Sequence, residues 1–158
     1  MTRLYGRAPT DERINDYVPD VRFERESIIS GISLNGIHAP MQFSGTLDGN
    51  VFTVYIKEAL APTLRPGNIV IMDSLSVHKV PGALDPIYEK GAKVLFIPKY
   101  SPDYNPIELA WSKFKSILRE LKPRSKDELL ECIKIALDSI TLSDIKGWFY
   151  HDGYIVNV

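Results

Sequence analysis

The 158 residues hold only one cysteine, Cys132, and three histidines, His38, His78 and His151. A single thiol excludes an internal disulfide and a multi-cysteine zinc site, and histidines this far apart in sequence make no zinc motif. No apolar run approaches the ~20 residues of a membrane span. The opening MTRLYGRAPTDER has no apolar stretch of the kind that marks a secretory signal. The expected setting is therefore reducing and cytoplasmic. An excess of charge is lacking too: the net charge of −1 gives the chain as a whole no basic footprint for a polyanion. Internal repeats, low-complexity tracts, a phosphate-cradling glycine loop and a nucleophile elbow are all absent.

What is there has the composition of a globular chain, 44% hydrophobic and 25% charged, at a length that suits one domain spanning 1–158. Residues 1–25 are charged, contain proline and show no period, so they are expected to be poorly anchored. Two β-prone runs, 27–34 and 37–44, flank Asn35-Gly36, a strong hairpin signal. Phe52, Tyr55, Ile56, Ala59 and Leu60 recur at helical spacing, with Asn50 as the expected N-cap and Pro62 and Pro66-Gly67 as the stop. The short apolar runs 69–72 and 94–97 read as strands buried on both faces of a sheet. A helix over 82–90, closed by Gly91, joins them, and a helical crossover makes two strands parallel. Ile107, Ala110, Trp111, Phe114, Ile117, Leu118 and Leu121 predict a long amphipathic helix. Ser125 and Glu128 form the capping box of another helix reaching about 140, in which Cys132 reads as core packing, and a last helix is expected near 142–150. This order describes an α/β layer domain.

Two carboxylates stand where chemistry gathers. Asp73 directly follows the run 69–72, and open α/β sheets bind ligands beyond the carboxyl ends of their strands. Glu108 opens the long helix, at the end of the loop that leaves 94–97. If those strands are parallel neighbours, both acids reach one edge of the sheet. Each also has a plain structural role open to it. Asp73 can turn the loop 74–79. Glu108, with Asn105 as N-cap and Pro106 at N1, sits where a capping box places its acid. The cap and the ligand are compatible roles, because the positive end of a helix favours an ionised carboxylate. His78 reads as a loop histidine near this site. Over residues 113–126, Lys113, Lys115, Arg119, Lys122, Arg124 and Lys126 face only Glu120. On charge alone this is a solvated helix face or a patch for a polyanion.

The stretches Ile69-Val-Ile-Met-Asp73-Ser74-Leu-Ser-Val-His78-Lys79 and Pro98-Lys-Tyr-Ser-Pro-Asp103-Tyr-Asn105-Pro-Ile-Glu108-Leu-Ala-Trp111 resemble the second and third acid motifs of DDE transposases. The resemblance is to the mariner superfamily and its bacterial insertion-sequence relatives. The two acids are separated by 34 residues. The Gly6-Arg7-Ala8-Pro9 segment, Ala61-Pro62-Thr-Leu-Arg65-Pro66-Gly67 and the closing Phe149-Tyr-His-Asp-Gly-Tyr154 are similar to the same family, so the resemblance spans essentially the whole chain.

The resemblance implies an RNase H-like mixed sheet flanked by helices and a two-metal mechanism with Mg2+ or Mn2+ on DNA phosphodiesters. It implies Asp73 and Glu108 as metal-binding catalytic acids, with His78, Lys79, Asp103 and Asn105 beside them. It turns Lys113, Lys115, Arg119, Lys122 and Arg124 toward the backbone of double-stranded DNA. A homo-oligomer or an upstream transposase segment is the expected protein partner, in the cytoplasm at the nucleoid. Two departures accompany the likeness. The family's first aspartate ends a strand ahead of the Gly-Arg-Ala-Pro segment, and none of Asp11, Asp16 or Asp20 follows an apolar strand, so that acid and its strand are expected to be missing. Ser74 stands where the family usually carries asparagine. The expectation is thus a transposase fragment with an incomplete triad, against two rivals: an inactive relic, and a module that contacts DNA or a transposase without cutting.

Overall fold

The computed structural model describes residues 9–10, 25–98 and 101–155. The expectation for 1–25 therefore lies almost wholly outside the described residues, as do Asp11, Asp16 and Asp20.

The first two strands, β1 (Glu26–Ser33) and β2 (Gly36–Ser44), form the expected hairpin. Its turn is shifted by one residue. Ser33 pairs with Gly36, so Leu34-Asn35 make the two-residue loop and Gly36, at φ 132°, opens the return strand. Asn-Gly sets a hairpin whether or not the glycine is counted within the loop, because the required positive φ can fall at the first paired residue. Between Ile29 and Gly31 the register slips. The extra residue lies in β2, where Ala39 adopts a left-handed φ of 48°.

Helix α1 (Gly49–Val54) is capped by Asp48, whose carboxylate accepts from the Val51 amide at 2.8 Å, and not by Asn50. Both residues can cap a helix, and the earlier one takes the role because the helix already begins at Gly49. The chain winds on through a π-helical stretch, Tyr55–Leu60, and a 3-10 turn, Ala61–Thr63, which ends as expected around Pro62. Next come β3 (Ile69–Met72), a 3-10 turn (Ser76–Lys79), α2 (Asp85–Glu89) and β4 (Lys93–Phe96). Gly91 closes α2 at φ 71° and carries its backbone against Pro66, where no side chain would fit comfortably. The crossover makes β3 and β4 parallel, in register from Ile69↔Lys93 to Met72↔Phe96.

With helices α3 (Ile107–Leu121), α4 (Lys126–Asp138) and α5 (Leu142–His151), the described elements make a mixed α/β fold consistent with the RNase H-like expectation. Within it the described strands form two separate pairs, one antiparallel and one parallel. One expectation is corrected. The strands β3 and β4 are not buried on both faces: Val70 and Val94 pack on the core, but Ile69, Ile71 and Leu95 are 55%, 40% and 53% exposed. In a parallel pair in register these three share the opposite face, and a two-stranded sheet covered on one side leaves the other bare.

The core has two clusters with β1 between them. Phe52, Tyr55, Ile56 and Leu60 meet Met72, Ala83 and Ile87 in the first, and Phe114, Leu118, Ile133 and Ala136 form the second. Successive strand residues point to opposite faces. Ile29 accordingly packs on the first cluster and its neighbour Ile28 on the second. Cys132 packs beside the second cluster as expected, and burial pushes its thiol pKa up. None of the described helices is long and apolar enough to cross a membrane.

Candidate active site

Asp73 follows the last residue of β3, at the carboxyl edge of the parallel pair. The ladder runs one step past the strands, since the Ile97 amide donates to the Met72 carbonyl at 2.8 Å. Ser74 then donates its hydroxyl to the Ile97 carbonyl at 3.1 Å, so a residue that departs from the resembled pattern stitches the two strand exits together.

The structural role open to Asp73 is realised on one of its oxygens. Oδ1 accepts from the Leu75 amide at 3.1 Å, which turns the loop, and lies 2.8 Å from His78 Nδ1. Oδ2 takes no hydrogen bond among the described residues, and the side chain is 46% exposed. The ring of His78 lies 4.6 Å from that of Phe52 in α1. One helical turn earlier, Gly49 faces the same loop so closely that an added Cβ would stand 2.6 Å from Val80 Cγ2. The first turns of α1 are thus the backing of the Asp73–Val80 loop. Phe52 was legible only as a core residue; its second role depends on a contact across the fold. Lys79 Nζ lies 5.5 Å from the centre of the Phe96 ring.

Glu108 is the second residue of α3 and is exposed. The expected capping box does not form. Pro106 takes the N-cap position, which makes Leu109 the N3 residue and leaves Glu108 at N2, one place short of the position that reaches back to the cap. The Glu108 carboxylate takes no hydrogen bond among the described residues. Upstream, Asp103 is exposed in the 3-10 turn Pro102–Tyr104, and Asn105 is half-buried, with its carbonyl accepting from the Glu108 amide. The Tyr154 hydroxyl donates to the Tyr104 carbonyl at 2.8 Å, so the closing segment fastens the loop that leads to Glu108.

The basic residues divide. Lys113 is held by Asp144 at 2.5 Å, and this ammonium, with the Thr141 hydroxyl and amide, holds the Asp144 carboxyl down at about 2. Asp144 also completes a capping box with Thr141 at the start of α5. Sequence reading missed it, although Thr-x-x-Asp ahead of an apolar run was its signal. Lys115 and Arg119 stand 7 and 11 residues after Glu108. At ~100° per residue they return to within about 20° of its direction, roughly 10 and 16 Å along the helix. Lys113 points about 140° away from that line. Lys122 ends α3 in a left-handed conformation, and Arg124 is exposed beyond it. Lys126 reaches back to Glu26 at 2.8 Å.

The structure thus brings Asp73 to the edge from which the chain sets out toward Glu108, and leaves each acid with unengaged oxygens. Such hard donors suit Mg2+ or Mn2+, which proteins hold through one or two carboxylates with waters and substrate phosphates. Among the described residues no group of three or more His, Cys, Asp or Glu side chains is placed to hold a metal ion.

A family model described as DDE superfamily endonuclease matches residues 1–130. The chain belongs to the DDE superfamily endonucleases. The match covers the hairpin, both strands of the parallel pair and α3, and stops within α4, so the Thr141–Asp144 cap and the Tyr154 contact lie beyond it. None of the curated proteins matches the chain significantly. Membership in this family supports a transposase-type or nuclease-type role with DNA as substrate.

Proposed function

We propose that this chain is part of a cut-and-paste transposase of the mariner and insertion-sequence kind, cleaving and joining DNA strands at a site to which it contributes Asp73 and Glu108. One observation carries the reading. An aspartate whose Oδ2 takes no hydrogen bond among the described residues follows β3, and the chain leaving its parallel neighbour delivers, at a helix start, a glutamate whose carboxylate takes none among them either. When bound there, divalent metal would activate an attacking hydroxyl and stabilise the leaving oxygen of an in-line displacement. The chain's own part is to place the two carboxylates and to draw the phosphate backbone along α3 with Lys115 and Arg119. The triad's first acid is supplied by an upstream transposase segment or a separate chain.

The test is metal affinity of the folded chain. Asp73→Asn and Glu108→Gln should each weaken Mn2+ binding while the melting transition stays cooperative. Unchanged affinity in both would refute the assignment. A second reading, a module that contacts DNA without cutting, rests on Lys115 and Arg119 alone. It predicts salt-sensitive DNA binding with no Mg2+-dependent nicking, even when the upstream transposase segment is supplied.

A further inference from the structure

We propose that His78 is a positioning residue for Asp73: its ring clamps one carboxylate oxygen and leaves Oδ2 turned out for a divalent cation. The proposal rests on the reading of Asp73 as a metal ligand.

The chemistry starts at Nδ1. It lies 2.8 Å from Asp73 Oδ1 and 3.1 Å from the Asp73 carbonyl oxygen. A carboxylate and a carbonyl both only accept, so Nδ1 must carry a proton whether the ring is neutral or charged. The ring is not free to leave. Its side chain is 13% exposed, Phe52 covers it at 4.6 Å, and two residues on Val80 abuts Gly49. Swinging His78 away would displace the loop from the first turns of α1.

Oδ1 accepts from the Leu75 amide and lies 2.8 Å from His78 Nδ1, whose hydrogen bond goes to the Asp73 carbonyl. Together the amide and the ring fix rotation about the Cβ–Cγ bond, and Oδ2 is the oxygen left over. A carboxylate already held in one orientation loses less rotamer freedom on binding a cation. Groups that orient a metal ligand from behind are worth 10–100-fold in metal affinity. Simple packing of the ring on Phe52 is the rival account, and the two separate by substitution. His78→Phe keeps a ring against Phe52 and removes the donor. His78→Asn returns an N–H near the place of Nδ1 and removes the ring.

The experiment measures Mn2+ affinity of the whole chain by the electron paramagnetic resonance of free Mn2+, with a thermal melt of each variant. His78→Phe should weaken binding about tenfold or more, with a cooperative melt, and His78→Asn should stay within about threefold of the native chain. Native affinity in His78→Phe, or equal losses in both variants, would overturn the proposal. Asp73→Asn is the control for the underlying reading. If it binds Mn2+ like the native chain, the metal assignment fails; if it loses binding while His78→Phe does not, only the positioning role fails. Should neither His78 variant fold, the imidazole 15N spectrum of the native chain decides. A protonated Nδ1 is required, and a bare Nδ1 would sink the idea.

Discussion

Tyr55 and Asp73 each present an oxygen with no hydrogen-bond partner among the described residues, and their surroundings give this opposite meanings. Tyr55 is 3% exposed, its hydroxyl is buried without a hydrogen-bond partner among the described residues, and burial pushes its pKa well up. An unsatisfied hydroxyl in a core costs about 1–3 kcal/mol. Asp73 Oδ2 sits on a half-exposed side chain, where water can solvate it. Phenylalanine in place of Tyr55 removes the costly atom and keeps the ring among Phe52, Ile56 and Met72. Tyr55→Phe should stabilise the chain by about 1 kcal/mol, raising the melting temperature by roughly 2–4 °C. A urea titration gives an independent value, and a clear loss of stability would mean that the hydroxyl has a partner in solution.

The cations of helix α3 divide between two faces. Lys113 holds Asp144 and so docks the start of α5, whereas Lys115 and Arg119 extend along the line of Glu108. Lys113→Ala should lower the melting temperature by weakening that tether. Lys115→Ala and Arg119→Ala should leave the melt unchanged and weaken DNA binding, each reducing the slope of log affinity against log salt by about 0.9. The reverse pattern would put the DNA face on the Lys113 side. The helix itself was legible, because Ala110, Phe114 and Leu118 are the buried residues that its spacing selects. The division of labour was not, because Asp144 lies 31 residues from Lys113 and no local pattern reports such a pair. Caps show the same limit. Ser125 accepts from the Glu128 amide as its motif demands, but the Glu128 carboxylate turns to the Arg124 amide, so only half of the expected box forms. At α1 and α3 the choices between Asp48 and Asn50, and between Asn105 and Pro106, turned on where the helix begins, which packing decides.

Across the molecule, Asp73 and Glu108 were legible because a strand end and a helix start are local features. The bare face of Ile69, Ile71 and Leu95 was not, since an apolar run does not say what covers it. Two carboxylates, neither in the candidate site, join the distant parts. Glu26 holds Lys126, Gln42 and Ser44 and so ties β1 to α4; Asp144 holds Lys113 and Thr141 and ties α5 to α3. The Lys126 ammonium, foremost among these partners, lowers Glu26 from 4.5 to about 2, and Lys113 leads in lowering Asp144 from 3.8 to about 2. Folded carboxyls that ionise more readily than unfolded ones stabilise the fold above the unfolded values, and the gain vanishes as pH falls through the folded ones. The melting temperature should therefore stay level down to about pH 5 and fall between about pH 4.5 and 2. Scanning calorimetry across that range, on the native chain and on the Glu26→Gln, Asp144→Asn double variant, checks the cause. The double variant should melt lower at pH 7 and decline less steeply in acid. An equally steep decline would assign the acid sensitivity to other carboxylates and reduce these two ties to surface pairs of little weight.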